Sequence, residues 1–238
     1  MGDLHCKQES EGALRPLFAA ASECADVLLL CGDLTDYGAA EEARVLAAEV
    51  GAAARIPVVA VLGNHDYEAG KVEPLKEILT AAGVRILDGG SCEIHGVGFA
   101  GVKGFAGGFG AHALGPWGED AVKLFVHEAV EEALKLEAAL GRLSVPQRIV
   151  LLHYAPIEGT IEGEPLAIYP FLGSSRLEEP LNRYTATAVF HGHAHLGTLE
   201  GRTSAGIPVF NVCLPLLRER RPDAPPFRVI EVEGAGDA

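Results

Sequence analysis

Residues able to bind metal ions or move protons stand at the ends of short apolar runs. Asp3 and His5 open the chain, and Asp33 follows Val27–Cys31. Asn64, His65 and Asp66 follow Pro57–Leu62, His153 follows Ile149–Leu152, and His191, His193 and His195 follow Ala186–Phe190. The set holds carboxylates, one amide and several imidazoles, all oxygen or nitrogen donors. Such donors suit Mn, Fe, Ni or Zn rather than Cu(I) or a structural zinc site. Taken singly, a Gly-Asp or Gly-Asn pair is more often a turn, and a lone His at a strand end more often a hydrogen-bonded core residue. Together they are different. In α/β sheets the carboxyl ends of parallel strands form the ligand-binding edge, so distant residues can meet there. One carboxylate can then bridge two ions about 3.5–4 Å apart, an arrangement that stabilises attacking and leaving oxygens in an in-line displacement at phosphorus. Two divalent ions against two carboxylates and one hydroxide leave a net positive charge, which attracts a phosphate ester.

These runs must be strands buried on both faces. Each has four to six β-branched or Leu-rich residues with no polar alternation. Helical stretches are expected between them, over roughly 11–25, 39–54, 71–82 and 119–140; the last begins Glu119-Asp120-Ala121-Val122 with apolar residues at helical spacing. The alternation predicts an α/β domain. Further strands are expected near 84–87, 93–102, 196–200, 207–212 and 227–233, giving a second, more antiparallel sheet. The chain is read as one domain over 1–238. The Gly-rich stretch 103–118 is an irregular insert of a length that is often functional.

The totals fit this picture. The 238 residues are 48% hydrophobic, enough for a large core. The net charge of −14 argues against a general nucleic-acid or anionic-membrane binder. A small anionic substrate remains compatible, because a metal site can reverse the sign locally. The five cysteines, Cys6, Cys24, Cys31, Cys92 and Cys213, lack CxxC spacing and read as inert free thiols in a reducing compartment. No apolar stretch is long enough to span a bilayer and no signal peptide opens the chain, so the cytoplasm is expected.

The ordered blocks Asp3-x-His5, Gly32-Asp33, Gly63-Asn64-His65-Asp66, His153 and Gly192-His193-x-His195 resemble the calcineurin-like metallophosphoesterase superfamily. The resemblance implies two mixed β-sheets sandwiched between helices in four layers. It implies a metal-dependent phosphoesterase that cuts a phosphomonoester or phosphodiester with a bridging hydroxide at two divalent ions, Mn or Fe in preference to Zn or Ni. Asp33 would bridge the ions. Asp3, His5 and His195 would complete one, and Asn64, His153 and His193 the other. His65 would act at the leaving-group oxygen, with Asp66 orienting it. Asp36 stands where purple acid phosphatases carry Tyr, so a ferric–tyrosinate site is not expected. Asp36-Tyr37-Gly38 replaces the Asp-Arg-Gly of Ser/Thr protein phosphatases, which disfavours a phosphoprotein substrate.

Relatives deliver the first Asp and His on an apolar strand. Here only Met1 and Gly2 precede Asp3, so the first strand is expected to be missing or replaced by another segment, and this segment to fray. That gap is the one feature favouring an alternative, a non-catalytic metal-binding or scaffold protein of the same fold. A hydrolase acting at carbon lacks support, since no nucleophile elbow or His-Glu-x-x-His motif occurs. Candidate substrate contacts are Lys103 and His112 in the Gly-rich stretch and Arg176 after Gly173-Ser174-Ser175; Trp117 reads as a packing anchor. Asp36 is expected to cap a helix or accept a hydrogen bond behind the ligands, His191 to pack or act behind them, and His95, His112 and His127 to fill surface or core roles. The partner expected is a small phosphate ester; oligomeric state is open.

Overall fold

The computed structural model describes residues 1–233. Its central strands are short apolar segments that bury both faces, and the period of two sorts each one's side chains between two different layers. In β1 (Leu28–Cys31), Leu28 and Leu30 face one cluster while Cys31 faces another. β1 pairs in parallel with β2 (Val58–Val61), and β2 with β3 (Val84–Ile86). The outer face of this three-stranded sheet packs on α1 (Arg15–Ser22), α2 (Ala40–Ala53) and α3 (Val72–Ala81), through Phe18, Leu46, Val50, Leu75 and Leu79.

The second sheet runs β4 (Gly90–Ile94), β5 (Val97–Gly101), β6 (Arg148–Leu151), β7 (Ala188–His191), β9 (Pro208–Asn211), β8 (Glu200–Arg202). β5, β6, β7 and β9 are mutually parallel, with antiparallel strands at both edges. Its outer face packs on α4 (Asp120–Gly141) and α6 (Glu178–Arg183) through Leu136, Leu140 and Leu181. Its inner face meets the first sheet: Cys31, Val59 and Val61 pack with Phe99, Ile149, Leu151, Phe190 and Phe210. Two further short helices are α5 (Tyr169–Leu172) and α7 (Leu214–Arg220). The order helix, sheet, sheet, helix is the expected four-layer α/β sandwich, though the smaller sheet is wholly parallel rather than mixed. None of the described helices is long and apolar enough to cross a membrane.

Three expectations change. The stretch 93–102 is not one strand but the end of β4, a turn and β5. His95 (φ 53°) and Gly96 (φ 74°) turn the chain between β4 and β5, a two-residue turn with positive φ at both positions. The expected strand at 227–233 makes no ladder among the described residues. Arg228–Val232 lines one wall of an apolar channel of about 550 Å³, with Val27, Leu28 and Leu29 among its other lining residues. A strand needs a neighbouring edge at hydrogen-bonding distance, and the channel stands in its place. Finally, residues 1–6 are held rather than frayed. The Met1 amino group donates to Leu29 O (3.0 Å), Cys31 N to Met1 O (2.9 Å), Gly2 N to Val212 O (2.8 Å) and Asp3 N to Gly32 O (2.9 Å). Among the described residues no strand element precedes β1.

Candidate metal centre

β1, β2, β6 and β7 all end at one rim, where the two sheets meet. Asp33 leaves β1 through Gly32, and Asn64 leaves β2 through Gly63. His153 follows β6, and His193 follows β7 through Gly192. The glycines are required by space. A Cβ at Gly63 would lie 2.1 Å from Asp33 Oδ1, at Gly192 2.2 Å from Asp3 Oδ2, and at Gly32 2.4 Å from His153 Nδ1. The chain is also bent unusually here. Asp3 (φ 57°), His5 (44°), Asp33 (47°) and His193 (69°) all adopt the left-handed region that non-glycine residues avoid.

The expected ligands come together. Ligand atoms of Asp3, His5 and Asp33 lie within 4.8 Å of one another, and so do those of Asp33, His153 and His193. Asp33, buried at 2% exposure, belongs to both groups. His153 Nε2 is 2.9 Å from Asn64 Oδ1 and 3.4 Å from Asp33 Oδ1. His195 Nε2 is 3.1 Å from Asp3 Oδ1.

The tautomers show what these contacts suit. His153 Nδ1–H donates to Cys31 O (3.1 Å), so in the neutral ring Nε2 turns a lone pair toward two oxygens. His5 Nδ1 is 3.3 Å from Asp36 Oδ1, while its Nε2 is buried without a hydrogen-bond partner, 3.7 Å from Asp33 Oδ2. Lone pairs converging without protons between them are costly unless a cation joins them. The donor set therefore fits hard or borderline divalent ions. Asp36 acts behind His5 and does not cap α2; just ahead of that helix the Tyr37 and Ala39 N–H groups donate to Glu42 Oε2.

Electrostatics are sharply divided. Burial would raise the Asp3 carboxyl, but hydrogen bonding from His195 and the neighbouring imidazoles bring it down to about 2. His193 is pulled down to about 3 by burial and by His153. His195 is raised, first by its hydrogen bond to Asp3. Cys213 Sγ lies within 4.8 Å of Asp3 and His195 ligand atoms, but burial drives its pKa far up and it stays a neutral thiol.

His65 sits beside His5, ring centroids 4.7 Å apart. Its Nδ1 meets Asp36 O at 2.7 Å and its backbone N–H donates to Asp33 Oδ1 (2.9 Å). Asp66 does not orient the His65 ring. Its fully buried carboxylate accepts from Leu34 N, Thr35 N, Thr35 Oγ1 and Gly63 N, and so ties the loops after β1 and β2 together. His191 is buried and bonded to Thr160 Oγ1 (2.8 Å) and Gly192 O (2.8 Å).

None of the candidate substrate contacts belongs to these ligand groups. Lys103 is 8% exposed; its Nζ donates to Gly104 O among the rings of Tyr67, Phe105 and Tyr154. Arg176 donates to Leu114 O (3.0 Å) and so pins the Gly-rich stretch, which Gly107 and Gly108 also join to Pro170 and Gly173. His112 is exposed, with no ligand group around it among the described residues. Two partners escape the sequence reading: the Phe171 carbonyl, 3.2 Å from His193 Nε2, and Asn211, whose amide reaches Ala194 O (2.7 Å). Asn211 ends an apolar run just as Asp33 does, so the strand-exit signal is there; the carbonyl has no side-chain signal.

The sequence model of the calcineurin-like phosphoesterases matches residues 1–197, and the chain belongs to that family, whose members are phosphoric ester hydrolases. Among solved structures, the phosphopantetheinyl hydrolase of Mycobacterium tuberculosis is 14% identical, with a TM-score of 0.67, 96% of this chain and 93% of that chain covered. The protein TT1561 of Thermus thermophilus is 16% identical with a TM-score of 0.53, 86% and 85% covered. At these identities the likeness is one of fold. No curated protein sequence matches the chain.

Proposed function

We propose that this metallophosphoesterase hydrolyses a small phosphomonoester or phosphodiester at a centre of two divalent ions, Mn or Fe in preference to Zn or Ni. One observation carries the reading: Asp33 belongs to two ligand groups at once. Asp3, His5 and His195 with Asp33 would hold one ion. Asn64, His153 and His193 with Asp33 would hold the other. When bound, such ions polarise the phosphoryl oxygens and activate water. The protein's own residues do the rest. Asp36 turns the His5 ring so that Nε2 faces Asp33. The Cys31 carbonyl does the same for His153. The His65 Nδ1–H is committed to Asp36 O, leaving Nε2 for a proton to the leaving-group oxygen. Burial pulls the His65 pKa down, but the Asp36 carbonyl and the charges of Asp33, Glu68 and Asp36 outweigh it and raise it. More of the ring is then protonated near neutrality, as an acid requires.

The test is turnover of bis(p-nitrophenyl) phosphate by metal-stripped protein titrated with Mn²⁺. Activity should rise with Mn²⁺ and vanish in Asp33→Asn and in His193→Ala. Full turnover in either variant would sink the proposal.

A further inference from the structure

We infer that Asn211 is a positioning residue that clamps the His193-Ala194-His195 turn and thereby sets the ion affinity of both groups of ligands. The inference rests on the two-ion reading above.

Asn211 is the last residue of β9 and is 1% exposed. Its single amide reaches three segments. Nδ2 donates to Ala194 O (2.7 Å) and more distantly to Thr160 O (3.5 Å), and Oδ1 accepts from Cys213 N (3.2 Å). Ala194 lies between His193, which groups with Asp33 and His153, and His195, which groups with Asp3. Cys213 is bridged to Gly2, whose carbonyl also accepts from Leu214 N (3.0 Å), and Gly2 is the residue before Asp3. Asn211 therefore joins the backbone of one ligand turn to the backbone that carries Asp3.

A second, independent observation gives this clamp a job. His193 and Asp3 both sit in the left-handed region, at φ 69° and 57°. Such strain persists only where the surroundings over-determine it. The His193 backbone N–H is held by both Asp3 oxygens (3.0 and 3.1 Å), and the Ala194 N–H by Gly192 O (2.8 Å). The Ala194 carbonyl is held by Asn211. Without that bond the turn can relax toward unstrained angles, which swings the His193 and His195 rings together away from their partners. An apolar side chain of equal size would fill the space and supply no such restraint.

Two variants test it. Asn211→Ala removes the amide. Asn211→Asp keeps its size and the acceptor for Cys213 N but sets an acceptor against Ala194 O, and it serves if the alanine variant fails to fold. Mn²⁺ binding to metal-stripped protein is measured by calorimetry, alongside the thermal midpoint with and without Mn²⁺. Both ion positions should weaken by about tenfold or more, the range for residues that orient ligands. The Mn²⁺-induced rise in midpoint should shrink with it. A purely structural role would instead lower the midpoint equally with and without Mn²⁺ and leave affinity unchanged; that result overturns the inference. Wild-type protein that binds no Mn²⁺ would overturn the two-ion reading itself, and this inference with it.

Discussion

His195 Nε2 lies 3.1 Å from Oδ1 of Asp3, a residue 192 positions earlier in the chain. The same carboxylate accepts the His193 backbone N–H. Asp3 thus supports ligands of both groups as well as offering an oxygen of its own. Asp3→Ala is expected to lower the bound Mn²⁺ from two ions per chain to fewer than one, with kcat/KM reduced more than about 100-fold, as for loss of a group central to transition-state stabilisation. Elemental analysis after dialysis at fixed Mn²⁺ checks this. Retention of two ions would show that Asp3 is dispensable.

His65 offers a different signature, because it should touch the substrate and no ion. His65→Ala should lower kcat by about 10²–10⁴ for an ester with a poor alkoxide leaving group, the usual span for general acid catalysis. The loss should be much smaller for p-nitrophenolate, which leaves without a proton, and Mn²⁺ stoichiometry should stay unchanged. Equal losses on both esters would remove His65 from the proton-transfer step.

Gly63 separates β2 from Asn64 at a point where a Cβ would lie 2.1 Å from Asp33 Oδ1 and 2.2 Å from Asp33 N. The second atom is backbone and cannot swing aside. Gly63→Ala should cost about 1–3 kcal/mol of stability, as overpacking does. It should weaken Mn²⁺ binding as well, by displacing the shared carboxylate. Denaturant melts and Mn²⁺ titration decide; wild-type affinity in the variant would contradict the role given to Asp33.

Burial pushes His191 down to about 4, against an ordinary 6.5, although its bond to Gly192 O opposes the shift. For a base with a depressed folded pKa, the unfolded chain takes up the proton first. The stability from keeping the ring neutral is therefore complete above pH 6.5 and is lost as pH falls from 6.5 to about 4. In chelator-treated protein, His191→Asn should melt lower at neutral pH and show a shallower loss across that same window. Parallel curves for the two proteins would show that His191 does not govern it.

Much of the site was legible because its chemistry and its position coincide. A fully apolar run marks a strand buried between layers, and a polar residue that ends it must lie at the rim. That logic locates Asp33, Asn64, His153 and His193 at one rim, where Asp33, His153 and His193 come together and Asn64 meets His153. It says nothing of side-chain direction, so Lys103, read as a substrate contact, turns inward to three aromatic rings. It says nothing of backbone partners, so it links Asp66 to the His65 ring, whereas four donors of neighbouring loops claim the Asp66 carboxylate. The helices between the strands were visible in their 3.6-residue spacing. The β4–β5 hairpin was not, because His95 stands where Asn or Asp would signal a turn. The stretch at 227–233 has the composition of a strand, but composition cannot supply the edge it must pair with.

The Nδ1–H of His153, at the end of β6, donates to the carbonyl of Cys31, at the end of β1. That bond crosses from one sheet to the other, and beyond it lie ligand groups drawn from both. The rim is thus a seam, and an ion seated there would rivet the two halves of the molecule. Parting the sheets would tear the cluster open, and emptying it would leave the apolar faces, the His153–Cys31 bond and the backbone bonds of residues 1–3 to keep the halves together.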